Sequence, residues 1–594
     1  MPRPSLTKAF MDAMESVDKR IGWHRLPRPL ALPTLIGIRE RLRHENLFDT
    51  GLPDPPEGAP PYDARYLTAR ALDGTYNDLR SPMMGAMNTR FGRNVPPEDT
   101  YPETLPRLME PNPRTVSREL MTRGRFLPAT TLNVLAAAWI QFEVHDWVFH
   151  GHNLDENAWQ IETGDDDGWH ERPMRIARTR PDPNPDGNGG PPSWVNTQTH
   201  WWDGSQVYGP TPAEAEALRT HEHGKLKLDE QGLVPKELDP AEPDWKGRPG
   251  SQWLGLTVLH SLFMREHNAI CDHLHARYPE LDDEQLYDKA RLVMGALIAK
   301  IHTVEWTPAI IAHPTMIYAM HGNWWGLMGE RFDKRFGRRS KNQILQGLVG
   351  AGTHHHGVPY TLTEEFVSVY RMHPLIPDEL VFRSARDGSV LQEHTFLEVQ
   401  ALDVRKRCDE LSMGDIFYSL GIANPGSITL HNYPRFLQEF HRPDGEVIDL
   451  AATDILRVRE RGVPRYARFR EHFHMKPVTS FEELSDNPVW VEELRDVYNG
   501  DIDAVDLVVG MFAEPKPRGF GFSDTAFRVF VLMATRRLEA DRFFTVDYRP
   551  EVYTRAGLDW VDNNTMRSVL LRHFPELEPT LRDVQNAFAP WPRI

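Results

Sequence analysis

The chain has 594 residues, of which 26% are charged, and carries a formal net charge of −17. That length holds enough sequence for a large buried core, and so acidic a balance excludes nucleic acid as the main partner, because phosphate contacts need clustered Lys and Arg. Only Cys271 and Cys408 are present, far apart and in no CxxC pair, which excludes a disulfide framework and a thiolate-held zinc or iron–sulfur site and points to a reducing, cytoplasmic setting.

The N-terminal MPRPSLTKAFMDAMESVDKRIGW carries charge throughout and lacks the apolar centre of a signal peptide. No apolar run reaches the ~18 residues a spanning helix needs, so the expectation is a monomer with at most peripheral membrane association. Residues 5–23 are modestly amphipathic, a pattern that fits a docking helix or one resting on lipid. Two helical patterns in 1–50 are broken by LPRPLALP, and GLPDPPEGAPPYD at 51–63 is an extended connection. The turn-rich ALDGTYNDLRSPMMGAMNTRFGRN then reads as a wrapping arm. Residues 1–100 are therefore expected to form helices and arm of the same unit as a catalytic domain over 101–594. The most regular helix is predicted over 131–150, within LPATTLNVLAAAWIQFEVHDWVFHG. Residues 151–195 are acidic, then Pro-, Asn- and Gly-rich, and read as loop. Helices are further expected in LGLTVLHSLFMREHNAICDHLHARYP, EQLYDKARLVMGALIAKIHTVEWTPAII, SVYRMHP, IDAVDLVVGMFAE and DTAFRVFVLMATRRLEADRFF. Strand-like alternation is sparse, so the fold class is mainly α.

Three constellations carry chemistry. Tyr370 and His373 in VYRMHPLIPDEL are three apart and on a helix would share a face, placing an oxidisable phenol beside an iron-binding imidazole. In WIQFEVHDWVFH, Gln141 and His145 share a face while Asp146 points elsewhere; such a histidine can move a peroxide proton near neutral pH. In THWWDGSQVYG, Thr199, Trp201, Asp203 and Ser205 alternate. A curled loop there could offer three side-chain oxygens and a backbone carbonyl to calcium, with Asp146 as a second carboxylate. Taken singly, these patterns also fit packed core histidines and ordinary turn chemistry. The triple histidine at 354–356 reads as a packed or solvated loop.

Taken in order, Gln-x-x-x-His-Asp, Thr-x-x-x-Asp-x-Ser-x-x-Tyr-Gly, Arg-Glu-His-Asn at 265–268, a histidine at 373 and VDLVVGMFAE at 505–514 resemble the animal-type haem peroxidases and cyclooxygenases. YNDL at 76–79, FGRN at 91–94, LNVLAAAWIQF at 132–142, IAKIHTVEWT at 298–307, YRMHPLIPD at 370–378 and RRLEADRFFT at 536–545 resemble the fatty-acid α-dioxygenases within that superfamily. The resemblance implies an animal haem peroxidase-like fold, a helical core around a buried haem b. It implies His373 as proximal iron ligand, His145 with Gln141 on the distal side, and Tyr370 as the radical-forming tyrosine. It implies that His302, Thr307 and Arg537 hold the fatty-acid carboxylate, with Arg536 the neighbouring alternative. Val144 stands where several mammalian peroxidases have an ester-forming aspartate, so covalent haem attachment there is not expected. Their distal arginine has no clear counterpart, Arg248 being the nearest candidate.

The implied reaction uses an activating peroxide, a long-chain fatty acid and O2. A C2 hydrogen is removed as an atom and O2 adds, giving a 2-hydroperoxy acid that can lose CO2 to the aldehyde one carbon shorter. A peroxidase oxidising small reductants and a cyclooxygenase-like attack on polyunsaturated chains are the alternative readings.

Overall fold

Long apolar runs make helices here, and strands survive only as short pairs. The computed structural model describes residues 6–51, 62–183, 190–209, 211–238, 252–338, 340–401, 403–442 and 445–594. Most of the 51–63 connection, part of the loop after 180, and Arg248 lie outside the described residues.

The central helix runs Val134–Trp147, starting where the Asn133 side chain accepts from the Ala136 N–H. The same Asn133 amide donates to the Ala587 and Ala589 carbonyls, each at 2.8 Å, so the helix start is tied to the far end of the chain. This helix packs on Leu254–His275, which packs in turn on Asp283–Ile301. The Asp283–Ile301 helix opens with a capping box between Asp282 and Gln285. It continues through a π-helical turn, His302–Trp306, into Thr307–Ile310. Pro308 accounts for that turn: it has no N–H for the Val304 carbonyl, so the ladder slips by one residue. The N-terminal helices are stitched to the Asp524–Glu539 helix by Trp23 Nε1 donating to Asp524 at 3.1 Å and by a buried Arg28-to-Glu45 helix pair, Arg43 with Glu539.

Three expectations are corrected. The second helix spans Arg28–Glu45 straight through most of LPRPLALP: Pro27 is the cap and Pro29 sits in the first turn, where no N–H is needed, while Pro33 lies inside the helix, which tolerates the loss of that one N–H. Residues 151–195 are not all loop, because Leu154–Ile161 pairs antiparallel with Met174–Arg178, facing Trp159 to Ile176 and Ile161 to Met174. Most of the acidic residues that suggested loop, Asp155 and Glu156 among them, occupy exposed positions, while Asp167 is buried against Arg114. Finally, the helix before His373 ends at Val369; Tyr370 is its C-cap and His373 opens a separate 3-10 turn, Pro374 having ended α geometry. Among the described residues, no helix is long and apolar enough to cross a membrane.

Candidate active site

A cleft opens between the Val134–Trp147 helix and the 370–376 turn, with Gln141, His145, Tyr370 and His373 all on its wall. Sequence spacing put Tyr370 and His373 on one helical face; the fold brings both to the cleft by a turn instead. Gln141 accepts a hydrogen bond from Trp253 Nε1 at 2.9 Å, which fixes its amide. His373 Nδ1 meets Asp454 Oδ2 at 2.8 Å, leaving Nε2 for a metal. Burial pushes the Asp454 carboxyl up, but His373 and Arg371 beside it outweigh that and hold it below the usual carboxylate range. Tyr433 also donates to Asp454, at 3.1 Å. No local motif announces Asp454, because it lies 81 residues from the histidine it orients.

The cleft suits a haem. Val144, Val148, Val367, Leu375 and Ile376 give apolar walls, while Arg371, Arg442, Arg457 and Arg461 supply cations for propionates. The Arg371 Nε is buried with no partner, and burial lowers the Arg461 guanidinium to about 9, the mark of a cation lacking enough counter-charge.

Behind Tyr370 lies an aromatic box. Trp147, two residues past His145, meets Tyr370 edge-on at 5.4 Å and His302 at 5.4 Å. The Arg537 guanidinium stacks 4.1 Å from the Trp147 ring centre and 4.6 Å from that of Trp202. Arg537 Nε and Nη2 are buried without a hydrogen-bond partner. Arg536, by contrast, donates to the Val358 and Pro359 carbonyls at 2.8 Å each, so Arg537 is the arginine that faces the box. Glu539 and Asp541 are engaged by Arg43 and Arg70, not by Arg537.

His302 Nδ1 accepts from Trp139 Nε1 at 3.2 Å. A neutral ring accepting at Nδ1 carries its proton on Nε2, where it can be donated. Burial, and then the Arg537 charge, hold the His302 pKa well below the ordinary value, so the ring stays neutral. The π-helical turn stacks Thr307 over His302, and the Thr307 hydroxyl donates to the His302 carbonyl at 2.9 Å. Of the three residues, Thr307 alone lines a second cavity, an apolar channel. Phe530 lines the same channel and meets Tyr370 edge-on at 4.7 Å, so Tyr370 divides cleft from channel.

The Asp146 loop is also assembled. Ser205 Oγ donates to Asp146, and Thr199 Oγ1 donates to Asp203 Oδ2 at 3.2 Å. Asp146 Oδ2 is buried without a partner. Burial, then the neighbouring Asp203, pushes the Asp146 carboxyl up to about 7. The Trp201 indole turns away to the Gly74 carbonyl at 2.9 Å, leaving only its backbone oxygen as a donor to a cation. Among the described residues, no group of three or more His, Cys, Asp and Glu gathers to hold a metal. Glu143 was not anticipated: it accepts from Trp202 Nε1 at 2.9 Å, its other oxygen is unpartnered, and burial, then Asp146, pushes its carboxyl well above the usual range. Of the 354–356 histidines, His354 is exposed, while His356 packs on Glu539 at 2.7 Å and His355 on the Ala540 carbonyl at 3.1 Å.

This helical frame, with a histidine on either side of one cleft, is that of the animal haem peroxidases, whose family description matches residues 69–588, and the chain belongs to that family. Within it the chain groups with the alpha-dioxygenases. It is 38% identical to "Alpha-dioxygenase 2" of Arabidopsis thaliana, with 97% of this chain and 92% of that protein covered. The crystal structure of Oryza sativa fatty acid alpha-dioxygenase superposes with a TM-score of 0.91 at 37% identity, covering 99% of this chain and 97% of that one. A Tyr-to-Phe form of the rice enzyme with palmitic acid gives a TM-score of 0.91 at 36% identity, covering 99% and 98%.

Proposed function

We propose that this chain is a fatty-acid alpha-dioxygenase in which Tyr370 is the hydrogen-abstracting residue and His302, Thr307 and Arg537 hold the substrate carboxylate. The observation that carries the assignment of roles is Arg537: two of its nitrogens are buried and unpartnered, one ring away from Tyr370. A buried cation in that state is stabilised by an anionic ligand. The relatives' activity, and the palmitic acid held by the rice enzyme, support a fatty acid as that anion. The apolar channel beside Thr307 and Phe530 supports a long alkyl tail.

His373 would hold haem b, with His145 on the opposite wall of the cleft, and such a group would supply a one-electron oxidant in the presence of peroxide. Asp454 keeps His373 oriented, and His145 carries the peroxide proton from one oxygen to the other, with Gln141 ordering what binds beside it. Tyr370 is kept protonated by burial, which pushes its pKa up, so its one-electron oxidation releases the phenolic proton along with the electron and leaves a neutral radical. As a radical it takes one C2 hydrogen from the bound acid. Removing a proton there would place a second negative charge beside the carboxylate; removing an atom does not. O2 adds to the carbon radical, and the peroxyl takes a hydrogen back from Tyr370, giving the 2-hydroperoxy acid and restoring the radical.

Arg537 supplies charge and His302 Nε2 a neutral donor, together fixing C2 near Tyr370. Thr307 joins them by turning its one hydrogen away from the His302 carbonyl. A calcium ion would be held by Asp146, Thr199, Asp203, Ser205 and the Trp201 carbonyl; the unpartnered Asp146 oxygen supports this, while Arg291, 3.6 Å from Asp203, supplies part of the positive charge already. The test is Tyr370→Phe. It should keep haem and its Soret band and lose oxygen uptake with palmitate; normal uptake would overturn the radical role.

A further inference from the structure

The apolar channel begins deep, at Thr307 and Phe530, and ends at Tyr318, Leu327 and Ile344, whose exposures are 38%, 47% and 44%. Ile317, Met328 and Leu345 adjoin those three in the chain, with the 327–328 backbone bonded to the 344–345 carbonyls, and together with Phe336 they are each 40–46% exposed. Seven of the 22 exposed large hydrophobic side chains among the described residues fall within 314–346, where an even spread along the chain would put about one. Scattered exposed hydrophobics are ordinary, but a contiguous set around a cavity mouth marks a contact surface.

The same stretch reverses the charge of the molecule. Residues 328–341, MGERFDKRFGRRSK, hold six Lys and Arg against two acids, in a chain of net charge −17. Glu330 is matched by Lys334 at 3.0 Å and Asp333 by Arg338 at 3.7 Å. Arg331, Arg335 and Lys341 are exposed beyond those pairs. On the short Glu330–Phe336 helix, Phe332 and Phe336 share a face with their rings 4.9 Å apart, next to the Arg331 and Arg335 side. From the other side of the mouth, the Arg28 guanidinium lies 5.7 Å over the Tyr318 ring.

We propose that this face docks on an anionic lipid bilayer and that the fatty acid enters the channel directly from it. Cations and apolar side chains interspersed over one patch meet both halves of such a surface at once, the arginines and Lys341 among headgroups and Phe336, Leu345 and Met328 at the acyl boundary. The route of entry rests on the fatty-acid reading of the site; the docking itself does not. A substrate whose every methylene favours the bilayer over water is supplied most directly at a mouth that opens onto the bilayer.

The test uses the full-length holoenzyme and vesicles containing no fatty acid, so docking is read without turnover. Wild type should sediment with phosphatidylcholine–phosphatidylglycerol vesicles, less with phosphatidylcholine alone, and less again at high salt. The triple variant Arg331→Glu, Arg335→Glu, Lys341→Glu should lose roughly tenfold or more of its partitioning onto anionic vesicles. Phe336→Ser with Leu345→Ser should weaken it even at low salt. With detergent-dispersed palmitate both variants should take up oxygen like wild type, and from vesicle-embedded palmitate more slowly. Absence of wild-type binding to anionic vesicles, or binding untouched in both variants, overturns the proposal. So does a wild-type dimer that Leu345→Ser dissociates, which would make the face a protein interface. Docking that survives with no oxygen uptake from any fatty acid would instead reject the dioxygenase reading and leave the surface standing.

Discussion

Arg459 and Arg537 are almost equally buried, at 1% and 2% exposure, and the protein treats them in opposite ways. Arg459 is saturated. Its Nε and Nη2 each meet an Asp506 oxygen at 2.7 Å, and its Nη1 donates to the Leu108 and Pro111 carbonyls at 2.9 and 2.8 Å. Asp506 is saturated in turn by Arg465 and Tyr498, each at 2.9 Å. Arg537 has aromatic faces in place of a paired carboxylate, and two of its nitrogens bond to nothing. A buried guanidinium with every donor matched holds two segments together. One left unmatched is costly in the free protein, and on the proposed reading the substrate carboxylate offsets that cost.

The comparison can be broken in four measurements. The largest effect belongs to the saturated pair: Asp506→Asn should cost about 3–5 kcal/mol, read as a large fall in Tm, because it leaves Arg459 and Arg465 buried beside a neutral amide. Arg537→Met should not follow it; removing an unmatched charge should leave Tm near wild type or above. If both variants fall alike, the contrast fails. Next, a saturated fatty acid at about a hundred times its Kd should stabilise wild type by about 2.7 kcal/mol. In thermal shift, Arg537→Met should lose most of that gain at the same ligand concentration. In kinetics, Arg537→Met should lower kcat/KM for the fatty acid by about 10- to 100-fold, the worth of one charge-assisted bond of ~1.5–3 kcal/mol. An unchanged kcat/KM would move the anchor elsewhere.

The smallest effect is in pH. His302 has a folded pKa well below its ordinary 6.5, chiefly through burial and then through Arg537. Its contribution to stability is therefore present above the unfolded value and is lost as pH falls below about 6.5, where the unfolded chain takes up a proton that the folded chain refuses. Between pH 7 and pH 5, His302→Asn should lose less Tm than wild type. Because the ring donates while neutral, fatty-acid KM should show no inflection near 6.5; one there would mean that His302 binds as a cation.

Much of the cleft was legible in linear order. Gln141 with His145 on the cleft wall, and Thr199 with Asp203 and Ser205 in the separate Asp146 loop, lie within a few residues of each other, so local periodicity already groups them. Asp454, Trp253, Glu143 and the Arg371, Arg457 and Arg461 set were not legible, since each acquires its role from a partner far along the chain or from the space it faces. The loop reading of 151–195 failed because acidic exposed positions masked the alternation of Trp159, Ile161, Met174 and Ile176. The choice between Arg536 and Arg537 could not be made from RRLEADRFF either. Adjacent helical residues point about 100° apart, and only packing says which direction is the box.

The sequence by itself determined most of the helices and the chemical inventory, two histidines, a tyrosine and the His302, Thr307 and Arg537 set proposed for the carboxylate, because side-chain type and short-range spacing are properties of the chain. Only the tertiary structure decided that Tyr370 is a C-cap standing between cleft and channel, and that a π-helical turn before Pro308 stacks Thr307 on His302. It alone left Arg537 unmatched among tryptophans. Those are consequences of burial, and burial depends on contacts between segments hundreds of residues apart, which no local pattern encodes.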